Sequence, residues 1–367
     1  MLGYSRYNAT GDFNLYTGLS MNQFHKQKHS EKRLLILSTG GTLGMRPGET
    51  DGSLQPDQVL SDLMTWVPEL KDYAAINVEI VANLDSSLIE PPLWLKLAHR
   101  IEKAQMRGEC DGVVILHGTD TLAFTASSLS FLLLNLAFPV VLTGAQRPLA
   151  MTRTDARNNI LGAVESSLDG PIEVQVFFNN NAFRGNRVTK IAIGDFHGFD
   201  SPNYPALGRA GMDWIWTADL FWPTTRRPTF WRTLPDTLPA PPLVVPWVPG
   251  LDFPSLEAGL MKQWGLVLEA FGAGNLPLSQ ATRDLLAKFI GAGGVVAIRS
   301  QVLHGSLALN KYAPGKAIRE LSIAECHDMT REATVTKLMV LKSLGLDSQT
   351  MVQKMPHSLA GELTAPS

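Results

Sequence analysis

A chain of 367 residues with 45% hydrophobic and 18% charged side chains is long and apolar enough for two packed domains, which excludes a wholly disordered chain and a single small module. Its 32 basic against 34 acidic residues leave a formal charge of -2, so no net field draws it to nucleic acid or to an anionic membrane, and the expected partner is a small molecule. The two cysteines, Cys110 and Cys326, lie far apart, which excludes a disulfide framework or a structural zinc site and points to a reducing compartment, the cytoplasm by default.

In chain order, residues 1–31 are polar, lack the apolar core of a signal peptide and read as a flexible extension, with Met21 an alternative start. No apolar run is long enough to span a bilayer, so no membrane partner is expected. Short aliphatic runs follow at 33–38, 78–81, 112–116, 139–142 and 172–178, each continuous enough for a strand covered on both faces. Helical spacing over 92–103 and 122–136 separates them. The alternation predicts an α/β domain with a mostly parallel sheet over 32–222. Prolines crowd 223–242, which reads as a linker. A smaller C-terminal α/β domain is expected over 243–367, with strands at 265–269 and 295–298 and helices at 279–290 and 331–343.

Four loops carry candidate chemistry. Ser38-Thr39-Gly40-Gly41-Thr42 closes the first strand, and its adjacent glycines permit a tight turn that exposes backbone N–H groups beside Thr42. A nucleophile, an anion site and a plain turn all fit; a P-loop and a dinucleotide fingerprint do not. His117-Gly118-Thr119-Asp120-Thr121 follows the strand ending at Leu116. Asp120 or Thr121 suits a helix N-cap worth about 1 kcal/mol, but that role leaves the rest of this polar cluster unexplained. No Gly-x-Ser-x-Gly accompanies His117, which is therefore read as a hydrogen-bonded structural histidine. Asn83 to Ser87 follows the strand at 78–81, and Gly185 to Lys190 is placed after the strand ending at Phe178. Each alone is turn-like, yet all four lie beyond strand ends, where ligands usually bind.

Together, Thr39-Gly40-Gly41-Thr42-Leu43, His117-Gly-Thr-Asp-Thr121 and Arg184-Gly-Asn-Arg-Val-Thr-Lys190 resemble the L-asparaginases, in the order and spacing of the cytoplasmic type I branch. Asp85-Ser-Ser87, Gly144-Ala-Gln-Arg-Pro148, Ser201-Pro-Asn203, Gly272-Ala-Gly-Asn275, Asp328-Met-Thr-Arg-Glu-Ala-Thr334 and Gly361-Glu-Leu-Thr364 extend the resemblance from about Lys32 to the end. It implies a larger N-terminal and a smaller C-terminal α/β domain, a homodimer or homotetramer, no metal and no cofactor, and hydrolysis of L-asparagine to L-aspartate and ammonia. Residue by residue, Thr42 matches the nucleophile, and Thr119, Asp120 and Lys190 match the second catalytic group. Ser86 and Ser87 match positions beside the substrate's α-carboxylate, and Asp120 also matches the one that holds its α-ammonium.

The chemistry agrees with those roles. A threonine hydroxyl is nearly inert at neutral pH and needs a neighbouring proton acceptor to attack an amide. Asp120 favours the ammonium form of Lys190, so the expected device is a Thr119–Lys190–Asp120 relay in which Lys190 orients and polarises Thr119 or a water. Backbone N–H groups of the Gly41-Thr42 and Gly118-Thr119 turns suit the tetrahedral oxyanion, each contributing about 3 kcal/mol. The segment from Pro47 to Pro56 lacks the tyrosine common in the family, leaving Ser53, Thr50 or a tyrosine from elsewhere in the fold to replace it. Alternatives are a glutaminase or other small amidase of the same fold, and a catalytically weak amino-acid sensor that binds asparagine without releasing ammonia.

Overall fold

The computed structural model describes residues 31–41, 56–223, 233–309 and 320–364. Thr42, Thr50 and Ser53, together with 1–30 of the expected extension and 224–232 of the expected linker, lie outside the described residues. The five apolar runs of the first half form β1 (Arg33–Ser38), β2 (Ala75–Ile80), β3 (Gly112–Leu116), β4 (Val140–Thr143) and β5 (Val174–Phe178). They lie parallel in the order β2-β1-β3-β4-β5. Alternate side chains feed two cores: Leu35, Leu37, Val113 and Ile115 enter one, while Leu34, Ile36, Val114 and Leu116 enter the other. Burial on both faces is why β1, β3, β4 and β5 read as continuous apolar runs; β2, at the sheet edge, buries only Val78.

The helices between them are α1 (Pro56–Trp66), α2 (Pro91–Arg107), α3 (Leu122–Leu132) and α4 (Ala156–Asp169). α2 runs past the expected 103 and stops at Gly108, whose left-handed φ of 57° lets its N–H close on the carbonyls of Ala104 and Gln105. α3 ends at Leu132 instead of 136. The apolar pattern continues because Leu133 and Leu136 remain buried in the core after the helix has ended.

The large sheet is parallel over only part of its width. After β5 the chain reverses at Asn179-Asn180, whose φ values of 47° and 64° make a two-residue hairpin turn with both central residues left-handed. It returns antiparallel as β6 (Asn181–Arg184), with Phe178 opposite Asn181. β9 (Gly208–Ala210) and β10 (Trp214–Trp216) extend the same edge antiparallel. The segment from Gly185 to Lys190 therefore follows β6, not β5 as the sequence pattern had placed it. Beyond it, β7 (Thr189–Lys190) and β8 (Phe199–Asp200) pair antiparallel as a separate two-stranded element.

The second half carries β11 (Leu243–Pro246), β12 (Gly265–Ala270), β13 (Val295–Ser300) and β14 (Ala324–Glu325), parallel in that order. Pro246 is tolerated because β11 is an edge strand. The main helices are α5 (Gln280–Gly291), α6 (Arg331–Ser343) and α7 (Ser348–Lys354). Their N-caps Ser279, Thr330 and Asp347 each accept a backbone N–H of the first turn. α3 packs against α6, so one core runs from Leu129 and Phe131 of the first half to Ala333 and Leu338 of the second.

The carboxyl-terminal tail is drawn into this junction by a buried ion pair. Lys337 Nζ on α6 lies 2.6 Å from Glu362 Oε1 and donates to the carbonyls of Met355 and His357, while Glu362 accepts from the N–H groups of Leu359 and Ala360. Both side chains are fully buried. Removing one partner strands the other charge in a dry site. Lys337→Met is expected to lower unfolding free energy by about 3–5 kcal/mol, with Glu362→Gln added to it recovering part of the loss in urea denaturation.

Candidate active site

The order β2-β1-β3-β4-β5 places a topological switch between β1 and β3, where successive connections leave in opposite directions and open a crevice at the strands' carboxyl ends. Three of the four candidate loops meet there because β2, β1 and β3 are neighbours. Thr39 N–H donates to Leu116 O, and Leu84 N–H donates to Thr39 O, stitching the loop after β1 to those on either side. Gly40 and Gly41 have φ of 97° and 88°. A Cβ on Gly40 would stand 2.6 Å from Leu84 N, and one on Gly41 would stand 2.6 Å from Gly118 N. A Cβ on Gly118 would in turn meet Ser86 Cβ at 2.7 Å. Gly40 and Gly41 thus satisfy both a left-handed turn and a backbone-to-backbone approach that any side chain would prevent, while Gly118 makes room for the Ser86 side chain.

Ser86 is buried and ties the next turn in place. Its Oγ accepts the Asp120 N–H at 3.2 Å, and its carbonyl accepts the Thr121 hydroxyl at 2.7 Å. Thr121 occupies the N-cap position of α3, but its hydroxyl bonds across to Ser86 and makes no capping bond. Ser87 is exposed, its backbone N–H and hydroxyl both donating to Asp85 Oδ1. That bonding holds the Asp85 carboxyl below its ordinary range.

Lys190 reaches the same crevice from β7, outside the large sheet. Its Nζ donates to Thr119 Oγ1 at 2.9 Å and to Asp120 Oδ1 at 2.7 Å. Thr119 is buried, Asp120 is 61% exposed along its side chain, and Lys190 is intermediate at 19%, so the ion pair spans the crevice rim. Of the predicted site residues, Gly41, Ser86, Gly118, Thr119, Asp120 and Lys190 are thereby assembled in one place, with Ser87 at its exposed edge. Thr42 immediately follows Gly41 in the chain.

His117 is buried with both ring nitrogens engaged. Gly118 O can only accept, so His117 Nδ1–H donates to it at 2.7 Å and Nε2 of the neutral ring accepts the Thr125 hydroxyl, whose oxygen in turn accepts Trp94 Nε1–H. A trans peptide holds its C=O and N–H on opposite sides, so the Thr119 N–H points away from the imidazole. Burial drives the His117 pKa down to about 4, leaving a neutral ring.

Sequence reading missed most of what supports Lys190. Gly185 to Thr189 is buried, unlike an ordinary surface turn. Arg187 donates to Asp328 Oδ2, Gly361 O and Thr364 Oγ1, and Asn186 Nδ2 donates to Ala360 O. Thr189 Oγ1 donates to Glu332 Oε1 at 2.8 Å. All of these partners but Ala360 belong to Asp328-Met-Thr-Arg-Glu and Gly361-Glu-Leu-Thr, segments to which the sequence alone gives no role. Of the six tyrosines, Tyr73 and Tyr204 are described, and they donate to Glu165 and to Leu220 O respectively. Among the described residues, no group of three or more His, Cys, Asp or Glu could hold a metal ion, and no helix is long and apolar enough to cross a membrane.

The unfolded chain binds a proton at His117 near pH 6.5 and the folded chain only near 4, so stability falls as pH drops between those values. The loss is on the order of 3 kcal/mol. His117→Asn should show a shallower acid loss when urea unfolding is followed between pH 7 and 4.5; equal slopes would count against the assignment.

Comparison with known proteins places this geometry in context. The family model described as Asparaginase, N-terminal, matches residues 33–220, and that for the Glutaminase/Asparaginase C-terminal domain matches 244–355. L-asparaginase 1 of Escherichia coli (strain K12) is 38% identical over 341 residues, which span 91% of this chain and 98% of that protein. The solved structure of the thermostable L-asparaginase from Thermococcus kodakarensis is similar with a TM-score of 0.81 at 31% identity, covering 90% of this chain and 99% of that one. L-asparaginase I from Vibrio cholerae O1 biovar eltor gives a TM-score of 0.80 at 31% identity, covering 91% and 100%.

Proposed function

The chain belongs to the asparaginase family, and we propose that it hydrolyses L-asparagine to L-aspartate and ammonia through Thr42 and a Thr119–Lys190–Asp120 relay. The observation that carries this reading is the Lys190 ammonium held between Thr119 Oγ1 and Asp120 Oδ1 in the crevice at the β1/β3 switch point. Lys190 donates to Thr119 Oγ1, so the threonine's own proton is free to turn toward a bound ligand. In the proposed reaction the Thr42 hydroxyl oxygen bonds to the carboxamide carbon as the Thr119 hydroxyl takes the Thr42 proton and gives its own to the amide nitrogen. The carbonyl oxygen carries negative charge until the C–N bond breaks and ammonia leaves, while Lys190 stays an ammonium that orients and polarises Thr119. Water then adds to the acyl-threonine carbon, the ester C–O bond breaks, the water's proton restores the Thr42 hydroxyl and aspartate is released.

Electrostatics favour an amino-acid substrate. The exposed carboxylate of Asp120 suits an α-ammonium, and the Ser86 hydroxyl, whose oxygen accepts the Asp120 N–H, keeps its own proton to donate to an α-carboxylate. The Thr119 N–H, turned away from His117, is a donor for the oxyanion, a type of contact worth about 3 kcal/mol. The neutral, doubly bonded His117 has no part in proton transfer in this reading; it orients the Gly118-Thr119 peptide. The reading includes a cytoplasmic homo-oligomer, dimer or tetramer, with no metal and no cofactor.

Ammonia release measured side by side on L-asparagine and L-glutamine tests the substrate. Faster release from asparagine is expected, whereas binding without ammonia would make the protein a sensor. Glutamine differs by one methylene, a difference commonly worth about 1–3 kcal/mol, so residual glutaminase activity is compatible. Lys190→Met should lower kcat by about 10²-fold or more while the thermal midpoint moves little. Turnover near the unaltered level in a folded Lys190→Met protein rejects the relay.

A further inference from the structure

Thr189 and Lys190 are neighbours on β7, so their side chains leave opposite faces of the strand. Lys190 goes to Thr119 and Asp120. Thr189 goes toward the second half of the chain, where its Oγ1 donates to Glu332 Oε1 at 2.8 Å. Glu332 lies in the first turn of α6, directly after the N-cap Thr330 and Arg331. An acidic residue there ordinarily favours the positive end of the helix from a solvated position. Glu332 is instead buried, and its Oε2 has no hydrogen-bond partner among the described residues. Burial also pushes its carboxyl above the ordinary carboxylate range. Helix stability alone does not account for a desolvated, half-satisfied carboxyl.

Among the described residues β7 is two residues long and pairs only with β8, itself two residues long, with Ile191 N–H donating to Gly198 O just beyond it. Preceding residues are clamped through Arg187 to Asp328, but Thr189 is the last residue before Lys190 with a side-chain bond to the second half. We propose that Glu332 is a positioning residue for Lys190: its buried carboxyl holds the Thr189 hydroxyl and so sets where the Lys190 ammonium meets Thr119. The inference rests on the asparaginase reading for its kinetic consequence. Displacing a catalytic group by about 1 Å can cost about 10²-fold in rate, which is the scale expected on release of this anchor.

The test is a double-mutant cycle read by kcat and KM for ammonia release from L-asparagine. Thr189→Val and Glu332→Ala should each lower kcat by about 10- to 100-fold with KM changed less than about threefold, and the double variant should be no worse than the poorer single. Thr189→Ser and Glu332→Gln keep the hydroxyl and the acceptor and should recover most of kcat. Any helix-end role of Glu332 is read separately, in the thermal midpoint of Glu332→Gln. If Glu332→Ala does not fold, the Thr189→Val and Thr189→Ser pair decides alone. A folded Thr189→Val protein with kcat within about threefold of the unaltered chain overturns the proposal, as does a loss confined to KM. Should the unaltered protein release no ammonia, the asparaginase reading fails and the anchor is tested on the lysine itself. Reductive methylation followed by peptide mapping should then modify Lys190 at least about threefold faster in Thr189→Val, and an unchanged rate overturns the positioning role.

Discussion

Backbone approach at the β1/β3 switch point governs the rest of the structure. Three loops converge there with separations that would bring an added Cβ within 2.6 to 2.7 Å of the neighbouring chain at Gly40, Gly41 and Gly118. No side chain larger than hydrogen fits those positions. At Gly40 and Gly41 the positive φ imposes the same choice independently. With the glycines in place, Ser86 comes within reach of the Asp120 N–H and the Thr121 hydroxyl, and the His117 ring reaches the Gly118 carbonyl. The direction of the Thr119 peptide follows from that last bond.

The lysine is delivered by a different part of the fold. β6 runs back antiparallel to β5, and the segment that follows it leads to β7, which lies outside the large sheet and carries Lys190 to Thr119. The stretch from Arg184 to Thr189 is buried and bonded to both halves, through Arg184 to Glu173 in the first and through Arg187 to Asp328 and Asn186 to Ala360 in the second. Charged groups buried this deeply are costly unless paired, so they add little net stability beyond an apolar alternative. Their directional bonds do hold the segment in one geometry, which a chemical site requires more than it requires stability.

Periodicity revealed those elements whose burial leaves a period in the sequence. β1, β3 and α6 have the bounds that their apolar runs and helical spacing imply. β6, β9 and β10 were missed because they are three or four residues long, and their pairing depends on the Asn179-Asn180 turn, which looks like any polar loop. α4 was missed because its sequence, Ala-Arg-Asn-Asn-Ile-Leu-Gly-Ala-Val-Glu-Ser-Ser-Leu-Asp, mixes helix formers with residues typical of turns. It forms because Ile160, Ala163, Val164 and Leu168 pack beneath the sheet, an override of local propensity by tertiary contact.

By itself the sequence determined the α/β class, the two sheets and the clustering of hydroxyl and acidic residues after strands, because two-sided burial and strand-end turns write themselves into residue order. The adjacent glycines beside Thr42 and the His-Gly-Thr-Asp-Thr run were visible for the same reason. Only the tertiary structure decided that Lys190 faces Thr119, that Thr121 bonds to Ser86 instead of capping its helix, and that His117 is locked neutral. It also decided that Glu332, more than a hundred and forty residues later in the chain, touches the residue beside that lysine. Each of these is a contact across a large sequence separation, and such contacts are selected by the packing of whole elements, which no local pattern of side chains records.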